Sequence, residues 1–190
     1  MTSWPLSCKH FVRGLLGCVT AGGVAIGACS CEPEQCRGVS RSEESIDSTE
    51  MLAGLPARST VDQVRSILET AGQSLEEESH WNQPSETKAA PIDHLTLRAA
   101  RFLHEGLESE ARLSFLNGRL YEVIVIPDDY QEYLKRLKSK LGAPPLPRAP
   151  VHLGALGRVE PGVGVDGRAF VRWYDLGLEC KLADWTVDNT

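Results

Sequence analysis

The chain is short of most features that announce a chemistry. Of its 190 residues, 20 are Lys or Arg against 26 Asp or Glu, a formal net charge of −6. A nucleic-acid surface neutralises phosphates with a basic face, so this shortage of positive charge argues against nucleic acid as a partner. Six cysteines are too few for a disulfide scaffold of this length. There is no G-x-S-x-G serine elbow and no H-E-x-x-H zinc helix. His80, His94, His104 and His152 are scattered without ligand spacing, so no metal site is expected. Gly162-Val163-Gly164-Val165-Asp166-Gly167 matches G-x-G-x-x-G by letters. That fingerprint needs a strand before it and a helix after it, whereas here Pro161 precedes and strand-like residues follow, so no dinucleotide cofactor is expected. Hydrophobic content of 42% and charged content of 24% nevertheless lie near the globular average, which excludes wholesale disorder and a polytopic membrane protein.

Long hydrophobic runs are scarce too. The one at 14–28 is 15 residues long with five glycines, too short for a spanning helix, which needs about 20 mostly apolar residues. Lys9 and Arg13 precede it, and the first acid in the chain is Glu32. A basic start, an apolar stretch and then small residues read as a secretory signal peptide. Ile26-Gly27-Ala28-Cys29 resembles the bacterial lipobox, an aliphatic residue and two small residues before an obligate cysteine. The resemblance implies a bacterial lipoprotein: Cys29 receives a diacylglyceryl group, cleavage removes 1–28, and the new amino group takes an acyl chain such as palmitate. Two or more chains anchor stably where one is marginal. Ser30 after the modified cysteine resembles the pattern of outer-membrane lipoproteins facing the periplasm. The competing reading is an ordinary secretory cut after Gly27, with Ala25 and Gly27 as the small pair. Lipidation of Cys29 leaves three mature cysteines, allowing Cys31–Cys36 to pair with Cys180 left over as a buried core thiol, while a secretory cut leaves four.

Residues 29–51 are acidic, with Val39 and Ile46 as the only aliphatic side chains before Glu50, and are expected to form a disordered tether. About 20 such residues reach roughly 25 Å. Residues 52–190 read as a single α+β domain. A helix is expected over 60–71, where Thr60 and Gln63 form a capping-box pair, Val61, Val64, Ile67, Leu68 and Ala71 share one face, and Gly72 suits the C-terminal cap. Residues 73–93 look polar and irregular, with Trp81 the only large apolar group, and 94–102 alternate as a strand. Ala111–Leu116 and Arg119–Ile126 flank Asn117-Gly118, the strongest short hairpin signal. That turn pairs Phe115 with Leu120 and Leu113 with Glu122, although a bulge is needed to re-phase the second strand. A second helix is expected over 129–141, capped by Asp128 and striped by Tyr130, Tyr133, Leu134, Leu137 and Leu141, with a Glu132–Arg136 pair and a stop at Gly142. Residues 143–167 hold five prolines and five glycines and read as a long loop, and Phe170–Tyr174 with Leu178–Leu182 as a closing hairpin. The expected architecture is an antiparallel sheet built from hairpins with two helices packed on one face.

The Thr60…Val64…Leu68…Gly72 helix, then Trp81, then Leu-x-Phe-x-x-Gly-x-Leu at 113–120 resembles the small BamE/SmpA-type lipoproteins, which share a fold with β-lactamase-inhibitory proteins. The resemblance implies a binding or scaffolding role beside another envelope protein. Three function classes follow. The leading one is a non-enzymatic binding or structural lipoprotein. The second is a hydrolase using His104 and Glu108, with Glu105 and Glu110 nearby. The third is a small-ligand binder beneath the 143–167 loop, with Tyr130, Tyr133, Trp173 and Tyr174 available to line a pocket.

Overall fold

The computed structural model describes residues 34–40, 50–52, 54–83, 92–142 and 150–188. Its strands are β1 (Glu50–Leu52), β2 (Leu55–Pro56), β3 (Glu76–Gln83), β4 (Ile92–His104), β5 (Leu107–Leu116), β6 (Arg119–Pro127), β7 (Val151–Leu153), β8 (Gly157–Val163) and β9 (Ala169–Asp175). Three helices join them: α1 (Val61–Thr70), α2 (Tyr130–Leu141) and α3 (Leu176–Asp188). The fold is α+β. β1 and β2 form a small pair, and the other strands form one antiparallel sheet in the order β3-β4-β5-β6-β9-β8-β7.

Local chemistry explains the elements that were legible. In α1 the Thr60 hydroxyl accepts from the Gln63 N–H, and the Gln63 side chain accepts from the Thr60 N–H at 2.8 Å, so two orphan donors are satisfied reciprocally. Asn117 and Gly118 both take positive φ, which a type I′ hairpin turn demands. Phe115 then faces Leu120, as expected, but the next pair is Ser114 with Glu122 and Leu113 meets Val123. Tyr121 is the extra residue of the expected bulge. Helix α2 is capped by Asp129 rather than Asp128: the Asp129 carboxylate accepts from the Glu132 N–H at 3.0 Å, and Gly142 closes the helix in the left-handed conformation.

Strand alternation divides the sheet into two sides. Ala111, Leu113 and Phe115 of β5 join Leu97, Val123, Val125, Val171 and Trp173 in the main core, with Val64 and Leu68 of α1 and Tyr133 and Leu137 of α2. Residues of the other parity, Leu116 and the bulged Tyr121, cluster with Ile92 and with Leu178, Leu182 and Trp185 of α3.

Several expectations are corrected. Glu76–Gln83 is a strand, not an irregular stretch. It is an edge strand with both sides mostly exposed, so it carries no hydrophobic alternation to detect. Residues 150–167 are not a loop, because β7 and β8 form a hairpin there. The glycines in that stretch serve packing and turning. A Cβ on Gly162 would lie 2.4 Å from the Phe170 ring across the ladder, and Gly167 has φ +79° in the turn to β9.

Leu178–Leu182 is a helix, not a strand. The Asp175 carboxylate accepts from the Leu178 N–H at 3.0 Å and starts α3. The residues that alternate as a strand also fit helical spacing, with Leu176 and Cys180 on one cluster and Leu178, Leu182 and Trp185 on another. There are therefore three helices among the described residues, not two.

Cys180 is not a free thiol. It is bonded to Cys36, 144 positions away, with Cα atoms 5.5 Å apart. Cys36 is thus unavailable to Cys31, and the expected Cys31–Cys36 pairing is replaced. The expected tether is shortened for the same reason: Glu34–Cys36 forms a 3-10 turn, and Cys36 is fully buried with Tyr174, Leu176 and Cys180. Residues 1–33, including Cys29 and Cys31, lie outside the described residues, as do 41–49 and 143–149.

Candidate functional site

The side of the sheet facing away from the main core carries a ladder of charge. Glu110 in β5 is its centre. Arg98 of β4 donates to its carboxylate at 3.0 Å, Arg168 donates at 3.0 Å, and Arg112 lies at 3.2 Å. Burial opposes ionisation of Glu110, but the Arg98 and Arg168 hydrogen bonds outweigh it and hold its carboxyl down at about 2. A second cluster centres on Arg172 of β9. It donates to Glu122 and Glu179, lies 3.5 Å from Glu160, and stacks 4.2 Å from the centre of the Tyr174 ring. Burial disfavours the Arg172 cation, yet Glu122 and Glu179 keep it firmly protonated. Burial pushes the Glu179 carboxyl up by more than Arg172 pulls it down. Nothing in the sequence singles out Glu179, because its partners come from β6, β8 and β9.

At one end of the ladder is an open cleft of about 440 Å³, lined by Arg101, Glu108, Glu110, Asp128, Tyr130 and Arg168 with several small or apolar residues. A β-bulge creates it. Ala99 pairs with Ala111 and Phe102 with Ser109, so Ala100 and Arg101 together face the single residue Glu110. A bulge of this kind re-aims side chains and is common beside functional sites. Tyr130 is half-buried, and burial pushes its phenol up, so it remains a hydrogen-bond donor at neutral pH.

Of the groups expected to do acid–base chemistry, His104 meets Glu105 but not Glu108. His104 is buried among Phe102, Tyr133 and Trp173, with Nδ1 2.7 Å from the Tyr133 hydroxyl and Nε2 3.4 Å from Glu105. His104 pairs with Leu107 across the ladder, whereas Glu108 pairs with Leu103, so the imidazole and the Glu108 carboxylate project to opposite sides. Burial disfavours ionisation of Glu105, but Lys140, His104 and Arg136 pull its carboxyl below the ordinary range. A general acid needs the reverse shift.

Of the four aromatics, only Tyr130 lines the cleft. Tyr133 and Trp173 are core, and Tyr174 stacks on Arg172. None of the described residues of 150–167 lines it. The other histidines sit elsewhere: His94 is stacked on Trp81 at 4.9 Å and bonded to Tyr121, His80 pairs with Asp93 at 2.7 Å, and His152 is an exposed residue of β7. Burial lowers the His94 imidazole, against the pull of Glu122 and Asp93. Among the described residues no group of three or more His, Cys, Asp or Glu could hold a metal ion, and no helix is long and apolar enough to cross a membrane.

The fold and this site define an α+β domain with a charged sheet side and a cleft at its end. No family model matches the chain, and no curated protein matches it.

Proposed function

We propose that this chain is a bacterial envelope lipoprotein, anchored through Cys29 after loss of residues 1–28, whose α+β domain has a non-enzymatic binding role. The reading includes α1 and α2 covering the apolar side of the sheet and an outer-membrane position facing the periplasm. The Cys36–Cys180 disulfide carries it. Structural disulfides persist in oxidising compartments and are rare where thiols are kept reduced, so the bond supports the export reading of the N-terminus independently of its hydropathy. The helix Val61–Thr70 with its Thr60 cap and the hairpin at 113–120, which carry much of the likeness to BamE/SmpA-type lipoproteins, support a partner in the envelope. The cleft, with its mixed charges and with His104 outside its lining, supports binding over hydrolysis.

The disulfide changes the geometry of anchoring. Six residues separate Cys29 from Cys36. With Cys36 fixed to α3, a coil of that length would span roughly 15 Å, against the roughly 25 Å of a 20-residue tether. The test is expression in a diderm bacterium with and without globomycin, beside Cys29→Ser. The wild-type chain is expected in the membrane fraction, with the inhibitor or the substitution blocking maturation. Unchanged maturation and partition in both would sink the lipoprotein reading.

A further inference from the structure

We infer that the cleft at the end of the charged ladder is a site for a small zwitterion, a free amino acid or short peptide whose carboxylate is held by Arg101 and whose ammonium is held by Glu108 and Asp128. This deepens the binding reading above and does not depend on the anchoring one.

The charges that line the cleft differ in whether they are paired. Glu110, Arg98, Arg112 and Arg168 are all engaged in ion pairs with one another or with neighbours. Glu110 is ionised and lies in ion pairs with three guanidiniums, two of which donate to it, and Arg168 is shared between Glu110 and Asp166, to which it donates at 2.7 Å. Neither is available to a ligand without breaking the ladder.

Arg101, Glu108 and Asp128 are different. All three line the same cleft, yet among the described residues none forms an ion pair, and Arg101 is not within ion-pair distance of either carboxylate. Opposite charges that share a cavity and remain apart leave room for a molecule carrying both signs. The bulge supports the same reading, because Arg101 is one of the two residues that it sets against the single Glu110.

Charge balance narrows the ligand. The lining holds Arg101 and Arg168 against Glu108, Glu110 and Asp128, so a simple polyanion such as inorganic phosphate meets more repulsion than attraction. A bare cation would leave the Arg101 guanidinium unsatisfied, although that fork suits bidentate capture of a carboxylate. The lining also includes Ala100, Ile126 and Pro127, apolar surface for a short aliphatic side chain, and Tyr130, whose phenol is a donor for a carbonyl. About 440 Å³ falls within the range of small-molecule sites.

The experiment is calorimetric titration of the detergent-purified full chain with alanyl-leucine, N-acetyl-alanyl-leucine and alanyl-leucine amide. The uncapped dipeptide is expected to bind with Kd below about 1 mM, and capping either end to weaken it by about tenfold or more. Arg101→Ala is expected to weaken alanyl-leucine by a similar factor while leaving the amide form nearly unchanged. Glu108→Gln with Asp128→Asn should show the reciprocal pattern with the N-acetyl form. Because both carboxylate changes are isosteric and Arg101 is exposed, an unchanged thermal midpoint is expected to accompany these losses. Equal binding of capped and uncapped peptides would overturn the two-charge inference while leaving a binding cleft standing. No saturable binding by any of the three up to about 10 mM, about −2.7 kcal/mol of standard binding free energy, would overturn it outright. The anchoring reading is decided separately by the membrane partition of Cys29→Ser.

Discussion

The two sides of the sheet are made from the same strands and held by different physics. In β5, Ala111, Leu113 and Phe115 are fully buried in the main core, while Glu110, Arg112 and Ser114, one position along, contribute to the charged side. On the first side stability comes from apolar area, about 1.5–3 kcal/mol for each large side chain fully buried. On the second, smaller apolar clusters against α3 share the surface with paired charges, whose attraction is largely offset by desolvation. Remote chain is brought to that side by the Cys36–Cys180 bond and by α3, which starts at the Asp175 carboxylate, itself paired with the buried Arg58 at 2.8 Å. The apolar side is a core that would form around many sequences. The charged side is specific, and it is where the cleft lies.

Cutting the staple should have the largest effect. A loop of 144 residues closed by a disulfide corresponds to about 5 kcal/mol in the chain-entropy account. Cys36→Ser is expected to lower the urea midpoint strongly, and dithiothreitol should do the same to the wild type but not to the variant. Amide exchange should rise first in α3. If it rises equally in β5 and β6, the two sides are not separately held.

A paired substitution sharpens the contrast between area and charge. Leu113→Ala removes a fully buried side chain from the core and should cost about 2–5 kcal/mol. Arg98→Ala breaks an ion pair whose arginine side chain is 38% exposed and should cost about 1 kcal/mol or less, read from the same denaturant curves. Comparable losses would mean that the charged side contributes as much as the core.

The smallest effect is one of pH, and its sign differs between two carboxylates on the same side. The Glu110 carboxyl is depressed to about 2 in the folded state. Its contribution is present above its unfolded value and is lost as pH falls from about 4.5 towards 2. The Glu179 carboxyl is raised by burial, so its contribution is complete below the unfolded value and is lost as pH rises through the folded one. Thermal midpoints measured against pH should therefore show a shallower acid limb in Glu110→Gln. In Glu179→Gln the decline above pH 4.5 should be shallower. Parallel slopes in the two variants would contradict this opposition.

Much of the fold follows from neighbours in sequence. Thr60 with Gln63, Asn117-Gly118 and the Tyr133–Leu137 stripe closed by Gly142 state their own conformations, because capping, turn chemistry and helical spacing act over four residues or fewer. The reading fails where the deciding contact is distant. Leu178, Cys180 and Leu182 satisfy both strand and helix spacing, and the choice falls to Asp175, held by Arg58 from 117 positions away. Glu76–Gln83 is a strand only because β4 pairs with it, and Val151–Leu153 only because β8 does. The cleft was least legible. In the sequence Glu108 stands out for its nearness to His104, but alternation separates that pair. Arg101 and Asp128 gain meaning only when a bulge and three strand ends converge.

The sequence by itself determined an acidic chain without nucleic-acid, metal or dinucleotide grammar, an α+β class, two capped helices and one hairpin, since these rest on composition and on short-range geometry. Tertiary structure alone decided that Cys36 meets Cys180, that the last segment is a helix, and that opposite charges stand unpaired around one cleft. Such contacts join residues far apart in the chain, and their free energy exists only after the sheet has brought them together.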